Sequence, residues 1–135
     1  MGSEMCIRDR LQHTEMSDPY DADLRNSIVE AASALSLPVH AGGVYCATNG
    51  PRFETKAEIA MMKAVGGSVV GMTGCPEVIL ANEAGMAYAA IGVISNAAAG
   101  LGNDDFTVEQ ILAMLEAARP DLERLIGAVI ERIDT

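Results

Sequence analysis

GVYCATNGPRFETKAEIAMMKAVGGSVVGMTGCPEVILANEAGMAYAAIGVISNAAAG, residues 43–100, is the stretch whose pattern decides the fold. Three apolar, β-prone runs recur in it: Val44 to Thr48, Ser68 to Thr73, and Tyr88 to Asn96. Two helical patterns separate them. Strands that alternate with helices predict an α/β fold with a mixed, parallel-rich sheet flanked by helices. Each run closes on a small or polar cluster: Asn49 to Thr55, Met72-Thr73-Gly74, and Ser95-Asn96. Ligands of such sheets sit beyond the carboxyl ends of the strands. The three clusters are therefore expected to meet at one crevice.

Outward from this stretch, Asp21 is placed to cap a helix reaching about Leu35, with Leu24, Ile28, Ala31, Ala32 and Leu35 as its apolar stripe. Thr55-Lys56-Ala57-Glu58 has the spacing of a capping box, and Gly66-Gly67 should stop the helix it opens. Pro76 fits the first turn of the next helix, and Gly85 its end. Thr107-Val108-Glu109-Gln110 is a second capping box. The helix after it should turn Ile111, Leu112 and Leu115 inward, kink or restart at Pro120, and carry its apolar face on through Leu122, Leu125, Ile126, Val129 and Ile133. Tyr88 to Ile94 is apolar almost throughout, as in a strand covered on both faces. Only three or four strands fit, so one sheet edge should stay open.

The chain has 135 residues, half of them hydrophobic, and a mean hydropathy of +0.20. That suits one domain, or part of one, with a real core. A formal charge of −10 leaves no basic face for a nucleic-acid backbone. A small anion such as phosphate remains compatible, because local backbone donors govern such sites. No apolar run has the length of a membrane span and no signal-peptide core is present, which points to a cytoplasmic protein without a membrane partner. Cys6, Cys46 and Cys75 form no CxxC pair. Cys46 reads as a buried thiol and Cys75 as a packing residue. His13 and His40 lack ligand-spaced partners, so no metal site is expected.

What remains is a recognition site. Phe53 lies in a polar loop where a ring can stack on a planar base. Glu54 beside it can accept N–H donors. Thr73 offers a hydroxyl next to a helix N-terminus, where backbone N–H groups suit an anion. Asn96 ends an apolar strand with a side chain that both donates and accepts. Singly, each residue serves as well as a loop anchor, a turn residue or, for Met72, core filler. Together, at three successive strand ends, they favour a site. Glu54, Glu58 and Glu77 fall on separate features, so no paired-carboxylate chemistry is expected of them.

These residues carry a resemblance. GPRFET-x-AE (Gly50 to Glu58), VVGMTG-x-PE (Val69 to Glu77) and the strand closed by Ser95-Asn96 resemble, in that order, the trimeric purine nucleoside phosphorylases, in particular the methylthioadenosine and S-methyl-5′-thioinosine phosphorylase branch. The likeness runs from about His13 to the C-terminus. Residues 1–10 look like a foreign leader, and residues 11–135 look like the C-terminal half of a longer phosphorylase domain.

The resemblance implies a phosphorolytic enzyme that takes a purine nucleoside and inorganic phosphate, needs no cofactor, and assembles as a homotrimer. Phe53 would flank the purine and Glu54 would pair with its N1 edge. Met72 would pack under the ribose. Thr73 would bind the phosphate. Asn96, as the catalytic residue, would face N7 and O6. His13 would reach the neighbouring subunit's 5′ pocket, and Val108, Ile111 and Leu112 would wall the 5′-alkylthio group. Adenine-using members carry Asp at the positions of Asn96 and Ala98, so the resemblance implies a 6-oxopurine pocket. Two rival readings are an adenine-specific methylthioadenosine phosphorylase and a non-catalytic truncated chain that keeps only partial base-binding or subunit-contact surface.

Overall fold

The computed structural model describes residues 13–102 and 107–133. Residues 1–10, expected to be a foreign leader, with Cys6 among them, and part of the loop before Thr107 lie outside them.

Four helices and two strands follow in the order α1 (Ala22–Ala34), β1 (Tyr45–Ala47), α2 (Lys56–Ala64), β2 (Val69–Gly71), α3 (Gly74–Glu83) and α4 (Val108–Ile133). β1 and β2 pair in parallel, with Tyr45 opposite Val69, Cys46 opposite Val70 and Ala47 opposite Gly71. α2 makes the crossover that a parallel pair requires. The first two expected strands are thus present but shorter than the apolar runs that announce them.

The helix starts are local chemistry. Asp21 Oδ1 accepts the Leu24 N–H at 2.7 Å at the head of α1. At α2, Glu58 N–H donates to Thr55 Oγ1 at 3.2 Å while the Glu58 carboxylate accepts the Thr55 N–H at 2.7 Å, closing the capping box. Thr107 and Gln110 exchange the equivalent bonds at α4. The first three helices end alike: Leu37 N–H donates to Ala32 O, Gly67 N–H to Met62 O, and Met86 N–H to Ala81 O, at 2.8–2.9 Å. Each bond spans a residue with positive φ, namely Ser36, Gly66 and Gly85. This is the closure that glycine favours.

The core lies where α1 packs on α4. Ala31 and Ala32 are fully buried against Leu125 and Val129, with Leu24, Ile28, Leu37 and Ala128 around them. Two alanines at the contact let the helix axes approach closely. Arg132 adds an ion pair to Glu30 across the same seam at 3.1 Å.

Four expectations are corrected. The run Tyr88–Asn96 is not a strand: among the described residues it has no ladder partner, and without one an apolar run does not become sheet. α4 continues through Pro120. Glu116, whose carbonyl loses its usual donor there, is exposed, so water can take the bond. Leu112 and Leu115 are exposed rather than inward; α1, about 20 Å long against about 39 Å for α4, covers only part of its partner. Cys46 is half-buried rather than buried.

Leu125 is 4% exposed in the α1–α4 seam, whereas Ile130 is 54% exposed on the same helix. Leu125→Ala should therefore cost about 2–4 kcal/mol in urea unfolding, and Ile130→Ala no more than about 0.5 kcal/mol. Equal losses would show that the seam is not where stability resides.

Candidate active site

The carboxyl ends of β1 and β2 stand level. Thr48 N–H donates to Gly71 O at 2.9 Å, which carries the ladder one bond past β1. The loop from Asn49 then folds over the end of β2. Gly50 has a φ of +59°, and a side chain there would meet Met72 Sδ at 2.8 Å. The positive φ is what calls for glycine; the Met72 thioether is a flexible side chain that can move aside. This contact brings the first two polar clusters together.

The loop is tied at both ends. Thr48 Oγ1 donates to Glu54 Oε1 at 2.7 Å. Arg52 gives two parallel bonds to Glu58, at 2.9 and 2.8 Å. Thr55 Oγ1 also donates to Glu58, at 2.9 Å. Thr48, Asn49, Gly50, Arg52, Glu54 and Glu58 line a hollow of about 240 Å³. Glu54 and Glu58, expected on separate features, therefore share one wall. The hydrogen bonds from Arg52 and Thr55 stabilise ionised Glu58 and hold its carboxyl down at about 2; the same carboxylate pushes Arg52 further up.

The other expected residues take different stations. Phe53 stands at the loop's crest, 65% exposed. Thr73 is the residue before α3, two positions earlier than Pro76 would suggest, and its side chain makes no cap hydrogen bond. Its hydroxyl is thus not spent on the helix. Asn96 accepts from Ser95 Oγ at 2.7 Å and donates to Ala97 O at 2.9 Å. Among the described residues it has no hydrogen bond to the 49–55 loop or to Thr73. The segment after it does reach α2, since a side chain at Gly100 would touch Lys56 Cγ at 3.1 Å. His13 is exposed, and Thr14 beside it donates to Glu83 at 3.5 Å. Val108, Ile111 and Leu112 occupy the first two turns of α4, with Ile111 half-buried and the other two exposed. Of the three clusters expected at a common crevice, only the first lines the hollow, through Asn49, Gly50, Arg52 and Glu54. Two clusters join directly, and the third reaches them only through the loop that follows it.

Two residues escaped the sequence reading. Tyr45 lays its ring over Gly71 and Gly74, and its hydroxyl accepts the Gly74 N–H at 3.4 Å, at the head of α3. The signal is an aromatic residue on one strand facing a glycine at the end of the next and another at the start of the helix after it. Arg52 was passed over as a polar loop residue, although an arginine six positions before a capping-box glutamate has a fixed carboxylate within reach.

A parallel β–α–β unit whose polar loops meet at its strand ends is the arrangement in which open α/β sheets place a ligand. The chain belongs to the Phosphorylase superfamily, which residues 3–131 match. A probable 6-oxopurine nucleoside phosphorylase of Moorella thermoacetica is 43% identical over 121 residues, 90% of this chain and 46% of that protein. A probable S-methyl-5′-thioinosine phosphorylase of Methanopyrus kandleri is 41% identical over 125 residues, 93% of this chain and 49% of that protein. Among solved structures, methylthioadenosine phosphorylase from Schistosoma mansoni in complex with adenine superposes with a TM-score of 0.85 at 26% identity, over 91% of this chain and 49% of that one. The chain spans about half the length of the curated relatives it matches.

Because the Glu58 carboxyl is held below its ordinary value of 4.5, the stabilisation it brings is complete above that value and is lost as pH falls through about 2. An NMR titration of the Glu58 carboxyl should have its midpoint near 2, and Arg52→Ala should raise it. A wild-type midpoint at the ordinary value would mean that the Arg52 clamp is not formed.

Proposed function

We propose that the chain is the C-terminal half of a purine nucleoside phosphorylase. The whole enzyme cleaves the N-glycosidic bond of S-methyl-5′-thioinosine, or a related 6-oxopurine nucleoside, with inorganic phosphate. The products are the free purine and (5-methylthio)ribose 1-phosphate. The observation that carries this reading is the juxtaposition at the strand ends: the loop that presents Phe53 and Glu54 packs through Gly50 against Met72, next to Thr73, whose hydroxyl makes no cap bond to α3. Relatives named for 6-oxopurine and methylthioinosine substrates, at about 40% identity, support the same class.

In the reaction a phosphate oxygen forms a bond to C1′ as the C1′–N9 bond breaks, and the electron pair leaves with the purine. Thr73 holds the phosphate with its hydroxyl, beside the Cys75 N–H in the first turn of α3; Gly74 N–H is engaged by Tyr45 and Pro76 has none. Phe53 flanks the base, Glu54 accepts from its N1 edge, and Met72 packs under the ribose. Asn96 accepts from N7–H and donates to O6, where the leaving base gathers charge. Catalysis comes from position and electrostatics, with phosphate as co-substrate and no cofactor. Val108, Ile111 and Leu112 form the wall for the 5′-methylthio group. His13, exposed in this chain, serves a neighbouring subunit's site in a homotrimer, in a cytoplasmic setting.

The hollow also favours a second reading, of a chain inactive by itself. Its volume of about 240 Å³ is below the ~300 Å³ at which small-ligand pockets begin. An adenine-specific enzyme has weaker support. The adenine-bound structural neighbour is 26% identical, and Asn96 with Ala98 presents an amide and a methyl where a 6-amino group calls for carboxylates.

In a phosphorylase carrying this chain as its C-terminal half, Asn96→Asp should move kcat/KM toward 6-aminopurine nucleosides by about 100-fold, the scale of one or two misdirected buried hydrogen bonds. An unchanged preference would remove Asn96 from the base site. Phosphate-dependent release of hypoxanthine from S-methyl-5′-thioinosine by the purified 135-residue chain would sink the reading of a chain inactive by itself.

A further inference from the structure

Glu54 belongs to the loop, yet the sheet sets its position. Thr48 follows β1 directly, and its N–H is bound to Gly71 O at 2.9 Å. Its side chain therefore starts from a fixed point at the strand end. The Thr48 hydroxyl donates to Glu54 Oε1 at 2.7 Å, and both side chains are half-buried. Among the described residues this is the one hydrogen bond of the Glu54 carboxylate. Thr48 and Glu54 both line the hollow. The neighbouring cation is engaged elsewhere, since Arg52 gives both terminal nitrogens to Glu58. A guanidinium paired with Glu54 would neutralise its charge, whereas a hydroxyl leaves that charge for a ligand.

An ionised carboxylate only accepts, through two oxygens. Thr48 engages Oε1 and leaves Oε2 without a protein donor among the described residues. A flat heterocycle with a single N–H on its edge needs one oxygen. A heterocycle with two adjacent donors needs both, side by side. Hypoxanthine is of the first kind, with N1–H alone. Guanine is of the second, with a 2-amino group beside N1–H. At Glu54 the second donor of guanine has to share Oε1 with the Thr48 hydroxyl.

We infer that Thr48 is a positioning residue that sets specificity: by holding Oε1 of Glu54 it makes the carboxylate an acceptor for one donor, and so selects 6-oxopurine nucleosides that lack a 2-amino group. The inference rests on the proposed pairing of Glu54 with the base, and it narrows the substrate class within that reading. A polar site discriminates strongly where the wrong ligand leaves a donor without its bond.

The test uses a phosphorylase carrying this chain as its C-terminal half, with S-methyl-5′-thioinosine and its 2-amino analogue as substrates. The two share a sugar, so the ratio of their kcat/KM values reads the base edge alone. The unaltered enzyme should favour the first by about tenfold or more. Thr48→Val removes the hydroxyl and keeps the branched shape, and should lower that ratio by about tenfold. Thr48→Ser keeps the donor and should hold the ratio within about threefold of the unaltered value. A mere staple of the loop would change urea unfolding and leave the ratio alone. An unchanged ratio in Thr48→Val therefore overturns the inference while the proposed activity stands. Equal losses on both nucleosides overturn it too, because Thr48 would then serve binding without discriminating. So does an unaltered enzyme that takes both nucleosides equally well. An unaltered enzyme that cleaves neither overturns the proposed activity, and the inference with it.

Discussion

Parallel pairing of Tyr45–Ala47 with Val69–Gly71 is the constraint on which the site depends. Parallel strands end at the same edge, so the loops that follow them are neighbours however far apart they lie in sequence. The pairing also needs a crossover that returns the chain to its starting level, and α2 supplies it. The capping box at Thr55 and the glycine closure after Met62 set the bounds of that helix. A short ladder held by few bonds is enough, because its level ends are what bring Gly50 against Met72.

Within that frame, charge shapes the loop. Arg52 and Glu58 form a two-bond pair across the start of α2, while Thr48 holds Glu54 from the other side. Phe53 lies between the two ties and is exposed to solvent. Glu58 serves two purposes with one carboxylate, capping the helix and anchoring the arginine, which is why it resists protonation so strongly. The hydroxyl of Thr73 makes no cap bond at α3. At that end the Tyr45 hydroxyl accepts the first helical N–H instead.

The surface tells a different story from the core. The α1–α4 seam is small and tightly made, with two alanines allowing the axes to close. Beyond it, apolar residues on α4 and in the 88–96 run face water.

Sequence alone determined what depends on a few neighbouring residues: the caps at Asp21, Thr55 and Thr107, the closures at Gly66 and Gly85, the α/β class, and the motifs that mark the family. The caps and closures follow from bonds spanning three to five positions, so their pattern is complete wherever the chain goes. Tertiary structure decided the rest. Tyr88–Asn96 reads as a strand, but strand is a property of two segments, and no partner pairs with it among the described residues. Leu112 reads as core, but burial depends on the reach of α1, which α4 exceeds. Arg52 and Tyr45 read as ordinary loop and strand residues until the fold set a carboxylate before one and two glycines beneath the other. Long-range pairing and cover cannot be read from local spacing, because the free energy that selects them comes from whatever surface is on the other side.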